Sequence, residues 1–218
     1  LGASVATRRT AVAAKGRERR ERVRGRAIAP RQNTDGLAAS AAIAAILGAT
    51  PKETIVVDEA VSNSGWIPLL GDLADARSYV SFARGGALGY GVGTAFGASL
   101  GSDRPVLVVI GDGALMYAPQ SLWSIAAENR PVVVCVLNNG GYQILRNFIS
   151  TAHFDVDPNR PGGERREKVT RPFFTLTDPP VDLTAVAQGC GVRTARVDTA
   201  AGCAEAVEAA FRSKGPWL

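Results

Sequence analysis

The sequence predicts an α/β protein built on a doubly wound parallel sheet with helices on both faces. Two runs, "VLVVI" at 106–110 and "VVVCVL" at 132–137, are apolar at every position. A strand without a polar face is typical of the middle of a parallel sheet, where helices cover both faces. Helical patterns alternate with these and with weaker strand candidates, which is the order expected of parallel strands joined by right-handed crossovers.

Residues 1–32 form a basic segment that precedes this alternating pattern. Residues 1–31 hold ten lysines and arginines against Glu18 and Glu21, a balance of +8, so the remainder of a chain of net charge +5 carries 5 − 8 = −3. A basic leader can bind nucleic acid or direct organelle import. Because no aromatic residue is interleaved with the charges, we interpret the segment as a solvated linker helix from a preceding domain. The start at Leu1, without Met, favours a piece of a longer protein.

The domain predicted at 33–218 begins with a helix and two strands. The Asn-Thr-Asp sequence at 33–35 offers cap candidates for an alanine-rich helix that ends near Gly48. "TIVVDE" at 54–59 predicts a short buried strand, and "YVSF" at 79–82 predicts a weaker one.

The second part of the domain continues the alternation around the two apolar strands. "ALGYGVGTAFGASLG" predicts a helix over 87–101, because its large apolar residues keep a helical spacing despite the glycines. Further helices are predicted at 119–129, 181–191 and 200–215, a strand at 193–197, and the start of a last, truncated strand at 215–218. The polar segment 157–168 predicts a mobile surface loop or a lid.

The cysteines and the apolar segments narrow the class of protein. Cys135, Cys190 and Cys203 form no C-x-x-C pair, so we interpret all three as reduced residues of a cytoplasmic protein. The longest apolar helical segment, 37–47, is too short to cross a bilayer. We expect neither a membrane nor a nucleic acid as a partner.

Two polar motifs follow the two most apolar strands. Gly111-Asp112-Gly113 ends the first, and Asn138-Asn139-Gly140-Gly141 ends the second, with the 24 residues 114–137 between Gly113 and Asn138. Either motif alone is an ordinary turn signal. If the strands are neighbours, however, Asp112 and Asn139 lie together at the carboxyl edge, where such sheets bind ligands. Oxygen ligands beside free backbone amides favour a Mg²⁺–phosphate site.

These motifs and their spacing resemble the thiamine-diphosphate-binding motif of the 2-keto acid decarboxylase and acetolactate synthase group. The resemblance covers roughly residues 33–218 and includes "GGALGYGVGTAFGASLG" before the motif and "GPWL" at the end. "NNGGYQILRNF" is similar in particular to benzoylformate decarboxylases. The resemblance implies the thiamine-diphosphate-binding fold, with thiamine diphosphate and Mg²⁺ as cofactors.

The resemblance also implies roles for individual residues. Mg²⁺ would be held by the side chains of Asp112 and Asn139 and by the carbonyl of Gly141. Residues that match substrate-facing positions are Ile144, Leu145 and Phe148. Residues that match cofactor-binding positions are Ser62, Asn63, Leu88, Gly111, Asp112, Gly113, Ala114, Asn139, Gly141 and Tyr142.

Within the cofactor group the implied contacts differ. The amides of Gly113 and Ala114 would hold the diphosphate, Tyr142 would cover it, and Leu88 would wedge between the two cofactor rings. The family often has Ser at the Ala114 position, so one hydroxyl contact is absent here. Benzoylformate decarboxylase-like sequences often have Thr at the Gly141 position, but a backbone ligand survives that change.

From the residues alone, other interpretations stay open. Leu88 equally fits a core helix position, and Ile144, Leu145 and Phe148 have a spacing that is common in cores. The Ser62–Asn63 pair fits a plain turn.

The resemblance implies that this chain is half of an active site. The glutamate that activates the cofactor would come from a pyrimidine-binding domain of the same or a partner subunit, in a parent that is a homodimer or homotetramer. The chain alone is therefore expected to be inactive.

We expect a 2-keto acid decarboxylase similar to benzoylformate decarboxylase. The alternatives are an acetolactate synthase-like carboligase, the β-subunit of a two-subunit decarboxylase, and a non-catalytic domain that keeps the fold.

Overall fold

A computed structural model describes residues 2–27, 36–73, 75–81, 86–151 and 174–218 of the chain. Its centre is a four-stranded parallel sheet with the order β2-β1-β3-β4. The strands are β1 (Ile55–Glu59), β2 (Tyr79–Val80), β3 (Val106–Gly111) and β4 (Val132–Leu137). The predicted fold class is confirmed.

Side chains alternate along each strand between two hydrophobic cores, one on each face of the sheet. Val106, Val108 and Ile110 of β3 point into the first core, while Leu107 and Val109 point into the second. All five are at most 1% exposed. Burial on both faces explains why the strand sequences lack polar positions.

Helices cover both faces. The first core is covered by α4 (Gly91–Gly101), α5 (Asp112–Leu115), α6 (Ser121–Ala127) and α8 (Leu183–Gly189). The second core is covered by α1 (Gly2–Ala27), α2 (Ala39–Gly48), α3 (Trp66–Leu70) and α9 (Ala200–Arg212). Helix α7 (Gln143–Thr151) follows β4.

Two predicted helix starts are wrong. Helix α4 begins at Gly91, so Leu88 lies in the loop before it and is not a helix residue. Gly89 interrupts the predicted helix because its φ of +87° is left-handed. Helix α2 begins after Ala38, which makes no side-chain cap bond, and the cap candidates at 33–35 lie outside the described residues.

The predicted strand at 193–197 does not form as a regular strand. Arg193 instead makes an isolated parallel bridge with Trp217, and Trp217 makes another with Val133. The amide of Val134 donates to the Trp217 carbonyl at 2.8 Å, so the "GPWL" segment does begin to pair with the outer edge of β4. The predicted loop at 157–168 lies outside the described residues.

Helix α1 carries the basic segment. Most of its described side chains are exposed, whereas Ala27 is buried and Val23 packs against the second core. Arg20 forms an ion pair with Asp72 at 3.6 Å. Among the described helices none combines the length and apolar character that a membrane crossing requires.

Candidate cofactor site

The strand order places a switch point between β1 and β3. From β1 the sheet continues to β2 on one side, and from β3 it continues to β4 on the other. The segments that leave β1 and β3 therefore diverge, and a crevice opens between their carboxyl ends. A small cleft of about 40 Å³ lies there, between residues 60–63, Leu88, 111–114 and the loop that follows β4.

This cleft brings together all ten residues predicted to bind the cofactor. Its lining includes Ser62, Asn63, Leu88, Gly111, Asp112, Gly113, Ala114, Asn139, Gly141 and Tyr142. They come from four separate stretches of the chain. The structure therefore places the predicted set on one surface, and their individual roles stay predictions.

The two motifs meet through one backbone amide. Oδ2 of Asp112 accepts a hydrogen bond of 2.8 Å from the Gly141 amide, and Oδ1 of Asn139 accepts one of 3.2 Å from the same amide. The parallel pairing of Gly111 with Leu137 explains this meeting, because it brings the two strand ends level. The expected adjacency of the two strands is confirmed.

Asp112 lies in a buried environment that affects its charge. The residue is 2% exposed, and burial raises the pKa of its carboxyl from the ordinary value. Amide groups of the backbone at Gly113, Gly141, Gly140 and Asn139 oppose this rise, because they stabilise the carboxylate.

The donor set fits a hard cation. One carboxylate, one amide oxygen and the Gly141 carbonyl are the oxygen ligands that Mg²⁺ prefers, and Mg²⁺ usually keeps waters or phosphate oxygens as its remaining ligands. In the described part of the chain no group of three or more His, Cys, Asp or Glu side chains could hold a metal.

The ring of Tyr142 lies against Gly113. A Cβ atom added to Gly113 would lie 2.7 Å from Cδ1 of Tyr142, so glycine is needed for this approach. Tyr117 packs edge-on against the Tyr142 ring with the ring centroids 6.1 Å apart. The Tyr142 ring thus packs closely against Gly113 in the lining of the cleft.

The loop after β1 is held by Asp58, which is fully buried. Oδ1 of Asp58 accepts hydrogen bonds from the Ala60 amide at 2.9 Å and from the Ser64 hydroxyl at 2.8 Å. Between them Val61 has a φ of +51°, which is rare and costly for a β-branched residue. The carboxylate thus fixes a strained turn that carries Ser62 and Asn63 into the cleft.

The turn before α4 is held by Glu59, also fully buried. Oε1 of Glu59 accepts from the Gly89 amide at 2.5 Å, and Oε2 accepts from the Gly91 amide at 2.6 Å. Leu88 precedes this turn; it lines the cleft and packs against the first core. Leu88 therefore packs against the core, as the interpretation of it as a core helix residue expects, but it does not lie in a helix.

The residues predicted to face the substrate divide into three cases. Ile144 lines the cleft and is 41% exposed, while Leu145 is 39% exposed and lies outside the cleft lining. Neither is a core residue. Phe148 belongs to α7, but its side chain lies outside what the structure describes.

A larger cavity of about 520 Å³ runs along the outer edge of β4, between α2 and α9. It shares the lining residues Asn63, Leu137 and Asn139 with the small cleft, so the two lie next to each other. The polar motifs converge on the smaller cleft, and for that reason we assign the candidate site by chemistry and not by size.

Sequence reasoning missed Asp58 and Glu59. Both were interpreted as the end of a strand, yet each carboxylate holds one wall of the cleft. Two consecutive acids at the end of an otherwise apolar strand were the available signal, because buried carboxylates need hydrogen-bond partners.

Comparison with known proteins identifies the family. Residues 59–218 match the family described as "Thiamine pyrophosphate enzyme, C-terminal TPP binding domain". The chain belongs to this family. Thiamine pyrophosphate is thiamine diphosphate under another name, so the predicted organic cofactor agrees with the family's description.

Relatives come from both branches of the group expected from the sequence. The chain is 35% identical over 181 residues to the Mycobacterium tuberculosis protein named "Putative acetolactate synthase large subunit IlvX", which covers 82% of this chain and 33% of the relative. It is 32% identical over 150 residues to benzoylformate decarboxylase of Pseudomonas aeruginosa, which covers 68% of this chain and 25% of the relative.

A solved structure agrees with the fold. The thiamine diphosphate-dependent 4-hydroxybenzoylformate decarboxylase of Rhodococcus jostii RHA1 is 33% identical and superposes with a TM-score of 0.70, over 87% of this chain and 33% of that one. The chain thus spans a third or less of the length of these proteins. The similarity does not separate the decarboxylases from the acetolactate synthases.

Proposed function

We propose that this C-terminal thiamine-diphosphate-binding domain serves a 2-keto acid decarboxylase similar to benzoylformate decarboxylase. The observation that carries the cofactor assignment is the convergence of Asp112 and Asn139 on the Gly141 amide at the switch point of the sheet. Oxygen atoms of two motifs, 29 residues apart at Asp112 and Gly141, meet there beside the amide of Gly113.

The proposed anchor is a Mg²⁺–diphosphate pair. Asp112, Asn139 and the Gly141 carbonyl hold the cation, which also offsets the cost of keeping the buried Asp112 carboxylate charged. The amides of Gly113 and Ala114 bind diphosphate oxygens, with Ser62 and Asn63 on the facing loop. Tyr142 covers this end of the cleft and excludes water from it.

Thiamine diphosphate, when bound, supplies the nucleophilic carbon and the electron sink for the loss of CO₂ from a 2-keto acid. The chain's own residues orient it. Leu88 supports the ring portion from the side of α4, and Ile144, which lines the cleft, provides an apolar surface against which a substrate packs. Leu145 and Phe148 stay predictions from the resemblance. An aromatic or branched keto acid suits an apolar surface better than a small polar one.

A second candidate function is carboligation of the acetolactate synthase type. The identity of 35% to a relative with that name favours it, and every cofactor residue would serve both reactions. The β-subunit of a two-subunit decarboxylase is a further alternative. Intact Asp112 and Asn139 speak against a non-catalytic domain.

The proposal includes partners and a location. A pyrimidine-binding domain of the same or a partner subunit supplies the activating glutamate, so the chain alone binds the diphosphate end and does not turn over. The parent assembles as a homodimer or homotetramer in the cytoplasm, where Cys135, Cys190 and Cys203 stay reduced.

Two experiments test this function. Calorimetric titration of the chain with thiamine diphosphate should show binding with Mg²⁺ and none in its absence; binding that ignores Mg²⁺ argues against the anchor. The longer protein that contains this chain is then offered benzoylformate and pyruvate separately. Aldehyde and CO₂ from benzoylformate support the decarboxylase, whereas acetolactate from pyruvate assigns the protein to the carboligases.

A further inference from the structure

Glu59, like its neighbour Asp58, is a fully buried acid at the end of β1 beside the cleft. It is 0% exposed, and the groups that act on its charge are the amides of the turn before α4 and the neighbouring Asp58 carboxylate. Burial raises its pKa, and hydrogen bonds from the amides of Gly91, Gly89 and Tyr90 oppose the rise. Burying a carboxylate costs free energy even when backbone amides donate to it. The role of Glu59 therefore lies in holding the backbone segment to which these amides belong.

The amides belong to the turn that precedes α4. Each oxygen of Glu59 accepts from one glycine amide, Gly89 at 2.5 Å and Gly91 at 2.6 Å. Charged hydrogen bonds of this kind are among the stronger ones in proteins. The hydroxyl of Tyr90 adds a bond of 3.0 Å to the Asp58 carbonyl, so the turn is joined to the end of β1 at several points.

The turn leaves no room for a side chain at Gly89 or Gly91. A Cβ atom on Gly91 would lie 2.6 Å from Oε2 of Glu59, and one on Gly89 would lie 2.7 Å from Cβ of Tyr117. Glycine is required at both positions for the backbone to approach this closely. The position of Leu88, one residue before the turn, is therefore set by the carboxylate.

Leu88 is the only described cleft residue on this segment, and it lines the cleft together with the loop that follows β4. We propose that Glu59 is a positioning residue that holds Leu88 against the ring portion of thiamine diphosphate and so sets the affinity for the rings, separately from the affinity for the diphosphate. This inference rests on the proposed cofactor function. It assigns a specificity role to an acid that makes no contact with the cofactor.

The test compares two ligands on the same variants. Thiamine diphosphate and inorganic diphosphate are titrated calorimetrically, each with Mg²⁺, into the wild-type chain, Glu59→Gln and Leu88→Ala. Glutamine presents an NH₂ group to one of the two glycine amides and loses that bond. We expect both variants to bind thiamine diphosphate about tenfold more weakly and inorganic diphosphate as the wild type does.

The double variant Glu59→Gln/Leu88→Ala should bind thiamine diphosphate no more weakly than either single variant, because both changes act on one contact. Glu205→Gln, the same change on an exposed face of α9, is the matched control and should alter neither affinity. Equal losses for both ligands in Glu59→Gln, or no loss for either, would overturn the inference.

Failure of the proposed function would give a different binding result from failure of this inference. If the wild-type chain binds neither ligand, the cofactor assignment fails and the role of Glu59 fails with it. Hydrogen exchange on the wild-type chain keeps the inference open to refutation should Glu59→Gln not fold. The Gly89 and Gly91 amides must then exchange slowly, and exchange at the rate of exposed loop amides would contradict the geometry.

Discussion

The carboxylate of Asp112 accepts a hydrogen bond of 2.8 Å from the amide of Gly141, which joins the end of β3 to the loop after β4. This one contact connects two turn motifs that are each common in other proteins. It also brings Asp112 and Asn139, whose side-chain oxygens both bond to the Gly141 amide, into the lining of one cleft.

The charge of Asp112 should be necessary for Mg²⁺-dependent binding. Asp112→Asn keeps an oxygen acceptor for the Gly141 amide but removes the negative charge, so thiamine diphosphate affinity in Mg²⁺ should fall by about tenfold or more. Calorimetry measures the affinity, and circular dichroism checks the fold. The control is Asp103→Asn, which changes an exposed acid just before the amino end of β3. Unchanged affinity in Asp112→Asn would remove this residue from the site.

Glycine should be needed at position 113 and not at position 97. Gly113→Ala forces the Tyr142 ring to move, because the new Cβ would lie 2.7 Å from Cδ1, and we expect a loss of about 1–3 kcal/mol in unfolding free energy. Gly97→Ala, in α4 with nothing within 4 Å of its Cβ, should gain about 0.5–1 kcal/mol. Urea denaturation measures both.

A double variant separates the steric cause from other causes. If the Tyr142 ring is the obstacle, Gly113→Ala combined with Tyr142→Ala should be less destabilised than the sum of the two single variants. Simple additivity would show that the ring is not what requires glycine at this position.

Asp58 should control the loop that carries Ser62 and Asn63. Asp58→Asn offers an NH₂ group to one of three donors, namely the Ala60 amide, the Ser64 hydroxyl and the Tyr79 hydroxyl, and we expect a loss of about 1–3 kcal/mol in unfolding free energy. Affinity for inorganic diphosphate should also fall, because the strained turn at Val61 relaxes.

Tyr79→Phe is the matched control for this experiment. It removes only the bond of 2.7 Å to Oδ2 of Asp58 and leaves the loop bonds to Oδ1 in place. Its stability should fall by about 1 kcal/mol with diphosphate affinity unchanged. A fall of diphosphate affinity in Tyr79→Phe as large as in Asp58→Asn would contradict the assignment of the loop to Oδ1.

Cys135 should react slowly with alkylating reagents in the folded protein. Burial of the thiol raises its pKa to about 12 although the residue as a whole is half-buried beside the larger cavity, so at pH 8 its thiolate fraction lies on the order of a thousandfold below that of a free cysteine. Mass spectrometry after timed iodoacetamide treatment gives the rate at this cysteine. The urea-unfolded chain is the control, and equal rates in the folded and unfolded chains would refute the prediction.

Much of the fold follows from local sequence. The strands β3 and β4 are apolar throughout because both faces of the sheet are covered, and this periodicity is visible without a structure. The contact between Asp112 and the loop at Gly141 can also be predicted from the sequence, once the two strands are taken as neighbours in a parallel sheet.

Contacts between distant segments account for the rest. Leu88 has helical spacing with later residues, but Gly89 turns the backbone because Glu59 accepts its amide. The segment at 193–197 has strand-like residues, yet its pairing stops at one isolated bridge from Arg193 to Trp217 and hydrogen bonds with the residues beside Trp217. Neither outcome is encoded in the local pattern, since each depends on a partner far along the chain.

The strand order bears on how the protein folds. Ile55 pairs with Val106, and Val106 pairs with Val132, so the central strands come together only after long stretches of chain have been closed into loops. Topologies of this kind reach the native state slowly compared with helical bundles. The cleft is assembled from the ends of three such strands, so a productive encounter with its ligand has to wait for the last stage of folding.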